Sequence, residues 1–476
     1  MPEWQVELVV SSLNLFAIPG AFIAGYTSDT LGRTKTLAAA SMFFILGMSI
    51  MTMSRGFGAL LFGRALVGLG LGCGISIDPL YIAEISPPRY RGMLVSFSET
   101  SINIGILLGF VSVYLFNHVF EASTAWRVML FCGVPTPLVM TYLALKVMPE
   151  TPRWLFTQGR VEECKDVLRG LCNNDQEFEA TMSDIQQSLK EAEADRGWDG
   201  ILHPTPGIRL MLIVVIGVAI IQQATGIEAI MYYSNQIIKA GGITDTSTSF
   251  MVSMLMALWK TAVILVAART LDEIAGRRSL LLYSLTGIAI SELIMGIGLA
   301  NSLPGLNIFG LFLFVGAFSL GLGPICWLFC SEIMPIEVRA KGMVIACSMN
   351  RLFSFIISDT FLSLVVGFER IDEDFGGDGK TSTGQAMVFF LFTFVTLLSF
   401  SFVYKMVPET KGKTLEEMSD YFEALALKHD GTAFPSASGM SGGAPPGAVA
   451  LELVEPGTRA RRRADALIGQ HADTRR

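Results

Sequence analysis

Hydrophobic residues come in eleven long runs along this chain, separated by short polar segments. Each run is long enough for an α-helix to cross a bilayer, which takes about 20 apolar residues. The runs cover residues 6–26, 37–54, 58–83, 93–117, 126–148, 208–238, 247–269, 279–301, 307–333, 342–367 and 385–407. They predict eleven membrane-spanning helices, five before a polar stretch at 155–203 and six after it.

Composition agrees with this pattern. Of the 476 residues, 51% are hydrophobic and only 16% are charged, whereas a soluble protein has about a quarter charged residues. The fold class is therefore an all-α polytopic membrane protein, with the lipid bilayer as its surroundings. The seven cysteines and four histidines show no metal-ligand spacing, and no sequence motif of an enzyme, cofactor site or nucleic-acid partner is present.

Charges between the runs predict the topology and the domains. Positive residues follow alternate runs, so these ends are expected in the cytoplasm. We expect an N-terminal bundle, a cytoplasmic helical linker, a C-terminal bundle and a cytoplasmic, largely disordered tail. Their predicted boundaries are 1–154, 155–206, 207–410 and 411–476.

Three motifs occur twice, in the same order. "SDTLGRTK" (28–35) matches "LDEIAGRRS" (271–279), "AEISPPRYRGM" (83–93) matches "SEIMPIEVRAKGM" (331–343), and "MPETPR" (148–153) matches "VPETKG" (407–412). Such a repeat indicates two homologous bundles in tandem.

The repeat also shows an offset. The second-half motif "LDEIAGRRS" follows the second span of its bundle, but "SDTLGRTK" follows the first span. Two bundles of equal orientation need matching spans, so about eleven spans are present where twelve are expected. A truncated gene model that lacks the first helix is favoured over a degenerate paralogue.

Six motifs together resemble the sugar-porter branch of the major facilitator superfamily. They are "GYTSDTLGRTK" (25–35), "GR" (63–64), "PETPRWL" (149–155), "QQATGI" (222–227), "GPICW" (323–327) and "PETKGKTLEE" (408–417). Within that branch, "SFSETSINIGILLGFVS" (96–112) and "MNRLFSFIISDTFLSL" (349–364) look like plant polyol and monosaccharide proton symporters. The resemblance implies the superfamily's fold of two helical bundles and a transporter rather than an enzyme.

Polar residues inside the spans are the candidate substrate site. Sugars and polyols are neutral and carry many hydroxyls, so a site for them needs amides that donate and accept, beside an aromatic face. The resemblance implies that six such residues line one central cavity: Gln222, Gln223, Glu228, Trp327, Asn350 and Glu99. The alternative for each is a hydrogen bond between helices.

Proton coupling has three candidates, Arg64, Glu99 and Glu228. In proton-coupled sugar porters the arginine at the place of Arg64 faces an aspartate of the first helix, which is not in this sequence. Glu99 and Glu228 are acids where many relatives carry amides, and either could titrate. Lys260 or Arg351 could pair with one of the acids, and the sequence does not choose between them.

The repeated motifs are expected to form a cytoplasmic latch, as they do in the family, with a static turn as the alternative. Opposite charges near helix ends can pair and cap helices. The predicted latch residues are Asp29, Arg33, Glu84, Arg91, Glu150, Arg153, Asp272, Arg277, Glu332, Arg339 and Glu409.

The sequence as a whole predicts transport of a neutral polyol or monosaccharide by alternating access, with a proton as coupling ion. A passive facilitator, or a non-transporting sensor or inactive truncated paralogue, is the alternative. The plasma membrane is favoured over the vacuole.

Overall fold

The computed structural model describes residues 2–86, 91–172, 174–193, 198–274, 276–375, 381–413 and 415–429. In the first half of the chain these described residues form six helices before the linker. They are α1 (Glu3–Leu31), α2 (Arg33–Met53), α3 (Phe57–Ile85), α4 (Arg91–Val119), α5 (Ala122–Cys132) and α6 (Pro135–Lys146).

The linker and the second half contain thirteen further helices within the described residues. The linker helices are α7 (Pro152–Thr157), α8 (Val161–Leu171), α9 (Asp175–Glu193) and α10 (Asp199–Leu202). The second half comprises α11 (Pro206–Ala224), α12 (Ile227–Ala240), α13 (Thr246–Ile274), α14 (Arg277–Ala300), α15 (Pro304–Leu320), α16 (Leu322–Ile333), α17 (Ile336–Asp374), α18 (Thr381–Met406) and α19 (Leu415–His429).

The prediction of eleven spans is confirmed. Eleven helical segments of the described chain are long and apolar enough to cross a membrane. Three of them are broken into two helices: α5 with α6, α11 with α12, and α15 with α16. The break between α11 and α12 lies at Gly226, whose φ of 80° is in the left-handed region that glycine adopts without strain.

Glycines of α3 bring the first three helices close together. A Cβ on Gly68 or Gly72 would collide with main-chain carbonyls of α1, and one on Gly70 would lie 3.0 Å from a main-chain carbonyl oxygen of α2. Gly74 is different, because a Cβ there would meet nothing within 4 Å. Small residues at such contacts let helix backbones approach and pack in a membrane.

The two bundles meet through two helix pairs, α1 with α17 and α4 with α13. In the second bundle α11 and α12 lie centrally and pack against α17, α16 and α18. We call the membrane side where α1 ends and α2 and α14 begin the motif side, and the opposite side the far side. α1 and α17 run in opposite directions, so the start of α1 and the end of α17 both lie at the far side.

Two smaller units lie beyond the spans. Trp154 and Leu155 of α7 pack with buried apolar residues of α8 and α9 in a separate hydrophobic cluster of the linker. The first part of the predicted tail forms α19, which packs on α11 and buries Met418 and Phe422. The rest of the predicted tail, residues 430–476, lies outside the described residues.

Candidate substrate site between the bundles

An amide cluster lies where α11 ends against α17. The side chain of Asn350 is completely buried, and its Nδ2 donates to the Ala219 carbonyl and to Gln222 Oε1, both at 2.8 Å. Gln222 Nε2 in turn donates to the carbonyls of Leu322 at 3.3 Å and Gly323 at 3.0 Å, at the start of α16. The break between α15 and α16 therefore exposes main-chain acceptors to this cluster.

Gln223 adds an acceptor that is not used. Its Nε2 donates to Asn350 Oδ1 at 3.1 Å, but its buried Oε1 has no hydrogen-bond partner in the described structure. A buried carbonyl oxygen without a donor costs about 1–3 kcal/mol. A hydroxyl of a bound molecule could remove this cost by donating to it.

Arg351 connects the amide cluster to an acid and to the other bundle. Its Nη2 and Nε donate to Asn350 Oδ1 at 2.7 and 3.2 Å, and its Nη1 donates to Asn14 Oδ1 of α1 at 3.3 Å. The same Nη1 lies 3.8 Å from Glu228 Oε1, and both side chains of this ion pair are largely buried. The structure thus decides which cation pairs with Glu228, a choice that the sequence left open.

Arg64, a predicted proton-coupling residue, lies beside this group. The Nε of Arg64 donates to the carbonyl of Val9 on α1 at 3.0 Å. The Tyr232 hydroxyl lies near Asn14 and near the charges of Arg64, Arg351 and Glu228. These contacts bring Arg64 to the same region as the predicted substrate residues.

Two predicted substrate residues are less closely connected. Trp327 lies half-buried on α16, one turn after Gly323, whose carbonyl accepts from Gln222. Glu99 belongs to α4, but its side chain lies outside the described part of the chain. The structure therefore brings together Gln222, Gln223, Glu228 and Asn350 by contact, and Trp327 by its position on a neighbouring helix.

The motif cluster of the first bundle closes within that bundle. Arg33 Nε and Nη2 donate to the two oxygens of Glu84, both at 3.0 Å, and Arg33 Nη1 lies 3.4 Å from Asp29. Glu150 accepts from the main-chain N–H groups of Arg33 at 2.9 Å and Thr34 at 3.2 Å, so it caps the start of α2. A carboxylate at this position also interacts favourably with the helix dipole.

The second bundle repeats this arrangement. Glu409 accepts from the main-chain N–H groups of Arg277 at 2.7 Å and Arg278 at 3.2 Å, and so caps α14. Arg277 Nη2 lies 3.2 Å from Glu332, which also accepts from the Thr410 hydroxyl. Each acid thus has the partner that its sequence counterpart has in the first bundle.

Four predicted latch residues remain. Arg339 donates to the Met334 carbonyl at 3.1 Å, and burial lowers the pKa of its guanidinium. Arg153 lines a cavity beside Glu84. The side chains of Arg91 and Asp272 lie outside the described residues.

Sequence reasoning missed Asn14 and Tyr232 as members of the site. A signal for Asn14 was present, because Glu7, Ser11 and Asn14 follow i, i+4, i+7 spacing and so share one face of an apolar helix. A polar face of this kind in a span indicates contacts with another helix. For Tyr232 no spacing in the sequence gives its direction, because the break at Gly226 resets the helix phase.

Comparison with known proteins identifies the family. A family model described as "Sugar (and other) transporter" matches residues 2–422. The chain belongs to this sugar transporter family. It is therefore a transporter and not an enzyme, as the motifs predicted.

Relatives in the sugar transporter family include plant proteins named for polyols. The chain is 37% identical over 437 residues to "Probable polyol transporter 4" of Arabidopsis thaliana, which covers 90% of this chain and 80% of the relative. It is 36% identical over 444 residues to "Probable polyol transporter 6" of the same plant, covering 88% and 86%. The predicted resemblance to polyol transporters is confirmed.

Solved structures of the family share the fold. The inward-open conformation of the xylose transporter XylE from E. coli superposes with a TM-score of 0.72 at 26% identity, covering 89% of each chain. A structure of XylE, described as a major facilitator superfamily proton:xylose symporter bound to 6-bromo-6-deoxy-D-glucose, gives 0.69 at 25% identity, covering 88% of this chain and 89% of XylE. The chain is thus a multi-pass membrane protein with the major facilitator fold, as predicted.

Proposed function

We propose that this sugar transporter moves a neutral polyol or monosaccharide by alternating access, coupled to a proton. The observation that carries the proposal is the buried amide cluster of Gln222, Gln223 and Asn350, which lies between α11 and α17 of the second bundle. Arg351 connects this cluster to Asn14 on α1 of the first bundle. Amides that donate and accept suit a ligand made of hydroxyls. The relatives named as polyol transporters and a proton:xylose symporter support the same substrate class.

Gln223 and Trp327 are the proposed direct contacts. The free Oε1 of Gln223 would accept a hydroxyl hydrogen, and the half-buried ring of Trp327 would stack on an apolar C–H face of the ligand. The remaining amides are occupied by protein partners, so we assign Asn350 and Gln222 mainly to orienting Gln223. Glu99 remains a prediction from the sequence.

The proposed proton site is Glu228, with Arg351 as its counter-ion. An acid between two bundles reaches water on one side at a time, as a coupled carrier requires. Arg351 also binds Asn14 of the other bundle, so a change in the charge of Glu228 would alter a contact between bundles. Arg64, beside Tyr232, is the second cation of this region.

The two motif clusters are the proposed latch, and the motif side is the proposed cytoplasmic side. Each cluster ties three helix ends of one bundle into a rigid unit, which suits bundles that rock as bodies. The linker and tail would then be cytoplasmic, and the plasma membrane stays a prediction from sequence.

Reconstituted protein tests this function. Uptake of radiolabelled sorbitol, mannitol and xylose into proteoliposomes would be measured with and without an imposed inward proton gradient. We expect saturable uptake of at least one compound, accelerated by the gradient and reduced by an uncoupler. Uptake that neither the gradient nor the uncoupler changes would indicate a passive facilitator. No uptake of any of the three compounds would refute the proposal.

Two variants test whether Gln223 contacts the substrate. Gln223→Leu keeps roughly the side-chain size but removes the free carbonyl together with the donor to Asn350. We expect KM to rise about tenfold, the effect of one lost hydrogen bond to the substrate in a buried site. Gln236→Leu changes an exposed glutamine of α12, beyond the break at Gly226, and should leave KM unchanged. Equal KM values for both variants would contradict the assignment of Gln223.

A further inference from the structure

Two acids and two serines form a crossed set of hydrogen bonds between α1 and α17. Glu7 of α1 accepts from the main-chain N–H of Ser363 at 2.7 Å and from its hydroxyl at 2.6 Å. In return, the Ser11 hydroxyl of α1 donates to Asp359 Oδ1 of α17 at 2.7 Å. Each helix therefore supplies one carboxylate to the other and one hydroxyl in exchange.

The spacing explains how the set forms. Glu7 and Ser11 are four residues apart on α1, and Asp359 and Ser363 are four apart on α17, so each pair lies on one face of its helix. Because the helices run antiparallel, the outer acid meets the outer serine and the deeper serine meets the deeper acid. We call these four residues the outer clasp.

The outer clasp lies at the far side, away from the motif clusters. Glu7 is 24 residues before the end of α1, and Asp359 is 23 residues after the start of α17. At 1.5 Å per residue both lie about 35 Å along their helices from the motif side. Glu7 and Ser11 are buried, whereas Ser363 is exposed, so the clasp runs from the surface into the contact between bundles.

The second bundle supports the clasp from behind. The Tyr233 hydroxyl of α12 donates to the Ser358 carbonyl at 2.9 Å, and its ring stacks on Phe361 at 5.1 Å between centroids. Within the described residues no ion pair reaches Glu7 or Asp359. Their partners are therefore the opposite helix, and the contact depends on the two bundles being together.

Because Glu7 is buried, its contact with α17 depends on whether the two bundles are together. A carboxylate removed from water costs several kcal/mol unless it accepts hydrogen bonds. In the closed arrangement α17 supplies the bonds to Glu7, and when the bundles separate at this side, water can supply them instead. The acids thus allow two states, closed with protein donors or open with water, and disfavour a dry, partly separated state.

We propose that the outer clasp closes the far side of the substrate path and must open once in each transport cycle. This inference rests on the proposed alternating access, and it gives Glu7, Ser11, Asp359 and Ser363 a role separate from that of the central site. The clasp releases its bonds when the bundles rock apart at the far side, and remakes them when the motif side opens.

Labelling from the far side tests the clasp without substrate. Val10 of α1 packs against the core of the second bundle, so Val10→Cys reports opening between the bundles. A membrane-impermeant maleimide is applied from the far side, and the rate is measured above that of the parent protein, in which Cys132 is exposed. Val10→Cys is the reporter background for every variant below.

Three variants distinguish the loss of the Glu7 hydrogen bonds from the loss of its negative charge. Glu7→Ala removes two charge-assisted bonds, and we expect labelling of the reporter to become about tenfold faster. Glu7→Gln can accept the N–H with its oxygen and donate to the Ser363 hydroxyl, so its rate should stay close to the parent's. Ser12→Ala is the matched control, because the hydroxyl of buried Ser12 donates to the Val9 carbonyl of its own helix and to no other group among the described residues.

Labelling of the Glu7→Ala reporter no faster than that of the Ser12→Ala reporter would overturn the proposal. If Glu7→Ala does not fold, Ser363→Ala replaces it. This variant keeps the main-chain bond to Glu7, so we expect a smaller increase in the labelling rate. No increase in the Ser363→Ala reporter would also overturn the proposal. The protein could show the expected labelling rates and yet transport none of the tested compounds. That result would refute the proposed substrate but not the proposed opening of the clasp.

A disulfide provides a second test of the same proposal. Glu7→Cys with Ser363→Cys should cross-link under oxidation, stop uptake of a transported compound, and recover uptake on reduction. Ser12→Cys with Ser363→Cys should not cross-link, because Ser12 lies off the face of α1 that carries Glu7 and Ser11. Undiminished transport by the fully cross-linked protein would show that the clasp need not open.

Discussion

Removing the charge of Arg351 is the sharpest test of the central site, because this one side chain contacts the acid, the amide cluster and the opposite bundle. Arg351→Gln removes the cation and leaves Glu228 without the ion-pair partner that it has among the described residues. Glu228→Gln leaves Arg351 with its bonds to Asn350 and Asn14. The two single changes are therefore expected to differ, with Arg351→Gln the more damaging.

The magnitude follows from the geometry. Two unit charges 3.8 Å apart attract by about 4 kcal/mol at an effective dielectric constant of about 20. Most of this is offset by the removal of both groups from water and by lost side-chain freedom, as in other ion pairs. We expect a net coupling of about 1.5 kcal/mol, so that the double variant has kcat/KM roughly tenfold higher than the product of the single effects predicts.

The assay is a double-mutant cycle on initial uptake rates in proteoliposomes, at several external pH values. Arg160 and Glu163 of the linker provide the control pair, since both side chains are about half exposed and such pairs contribute about 0–1 kcal/mol. Additive effects of Arg351→Gln and Glu228→Gln, within about 0.5 kcal/mol, would refute a functional pair. An unchanged pH profile in Glu228→Gln would refute the assignment of Glu228 to the proton.

Three further predictions concern the fold around the site. Glu84→Gln breaks the buried bidentate pair with Arg33 and should destabilise the first bundle by about 3 kcal/mol, seen as a lower melting temperature in detergent; an unchanged melting temperature would contradict a stabilising cluster. Gly72→Ala should lower expression and melting temperature, because its Cβ would overlap a main-chain carbonyl of α1. Gly74→Ala has open space around the new Cβ and should match the parent in both measurements. Equal losses in the two variants would refute the close contact at Gly72. Gly226→Ala is expected to cost about 1–2 kcal/mol for its left-handed conformation and to reduce substrate affinity, measured by ligand-induced thermal stabilisation; parent-like affinity would show that the break does not position the site.

The sequence predicted the spans and the repeat because both depend on local properties. Apolar length decides whether a segment crosses a bilayer, and this is visible in one dimension. The match between "MPETPR" and "VPETKG" aligns Glu150 with Glu409, and each of these acids caps the start of a helix in its own bundle.

Contacts between helices that are distant in the sequence could not be predicted in the same way. The cation that pairs with Glu228 comes from α17, more than a hundred residues away, and Lys260 was an equal candidate in the sequence. The outer clasp depends on the vertical register of α1 against α17, which no span boundary defines to within one residue. Side-chain direction beyond the break at Gly226, and hence the place of Tyr232, also requires coordinates.

The central claim is that the amide cluster between the bundles binds a polyol or sugar whose transport is coupled to a proton. The most direct measurement is proton movement itself: a pH-sensitive dye outside proteoliposomes without an imposed gradient, with labelled polyol added to parent protein and to Glu228→Gln. The account predicts external alkalinisation on addition of the transported compound to the parent, and none with Glu228→Gln. Uptake by the parent without any change of external pH would contradict proton coupling.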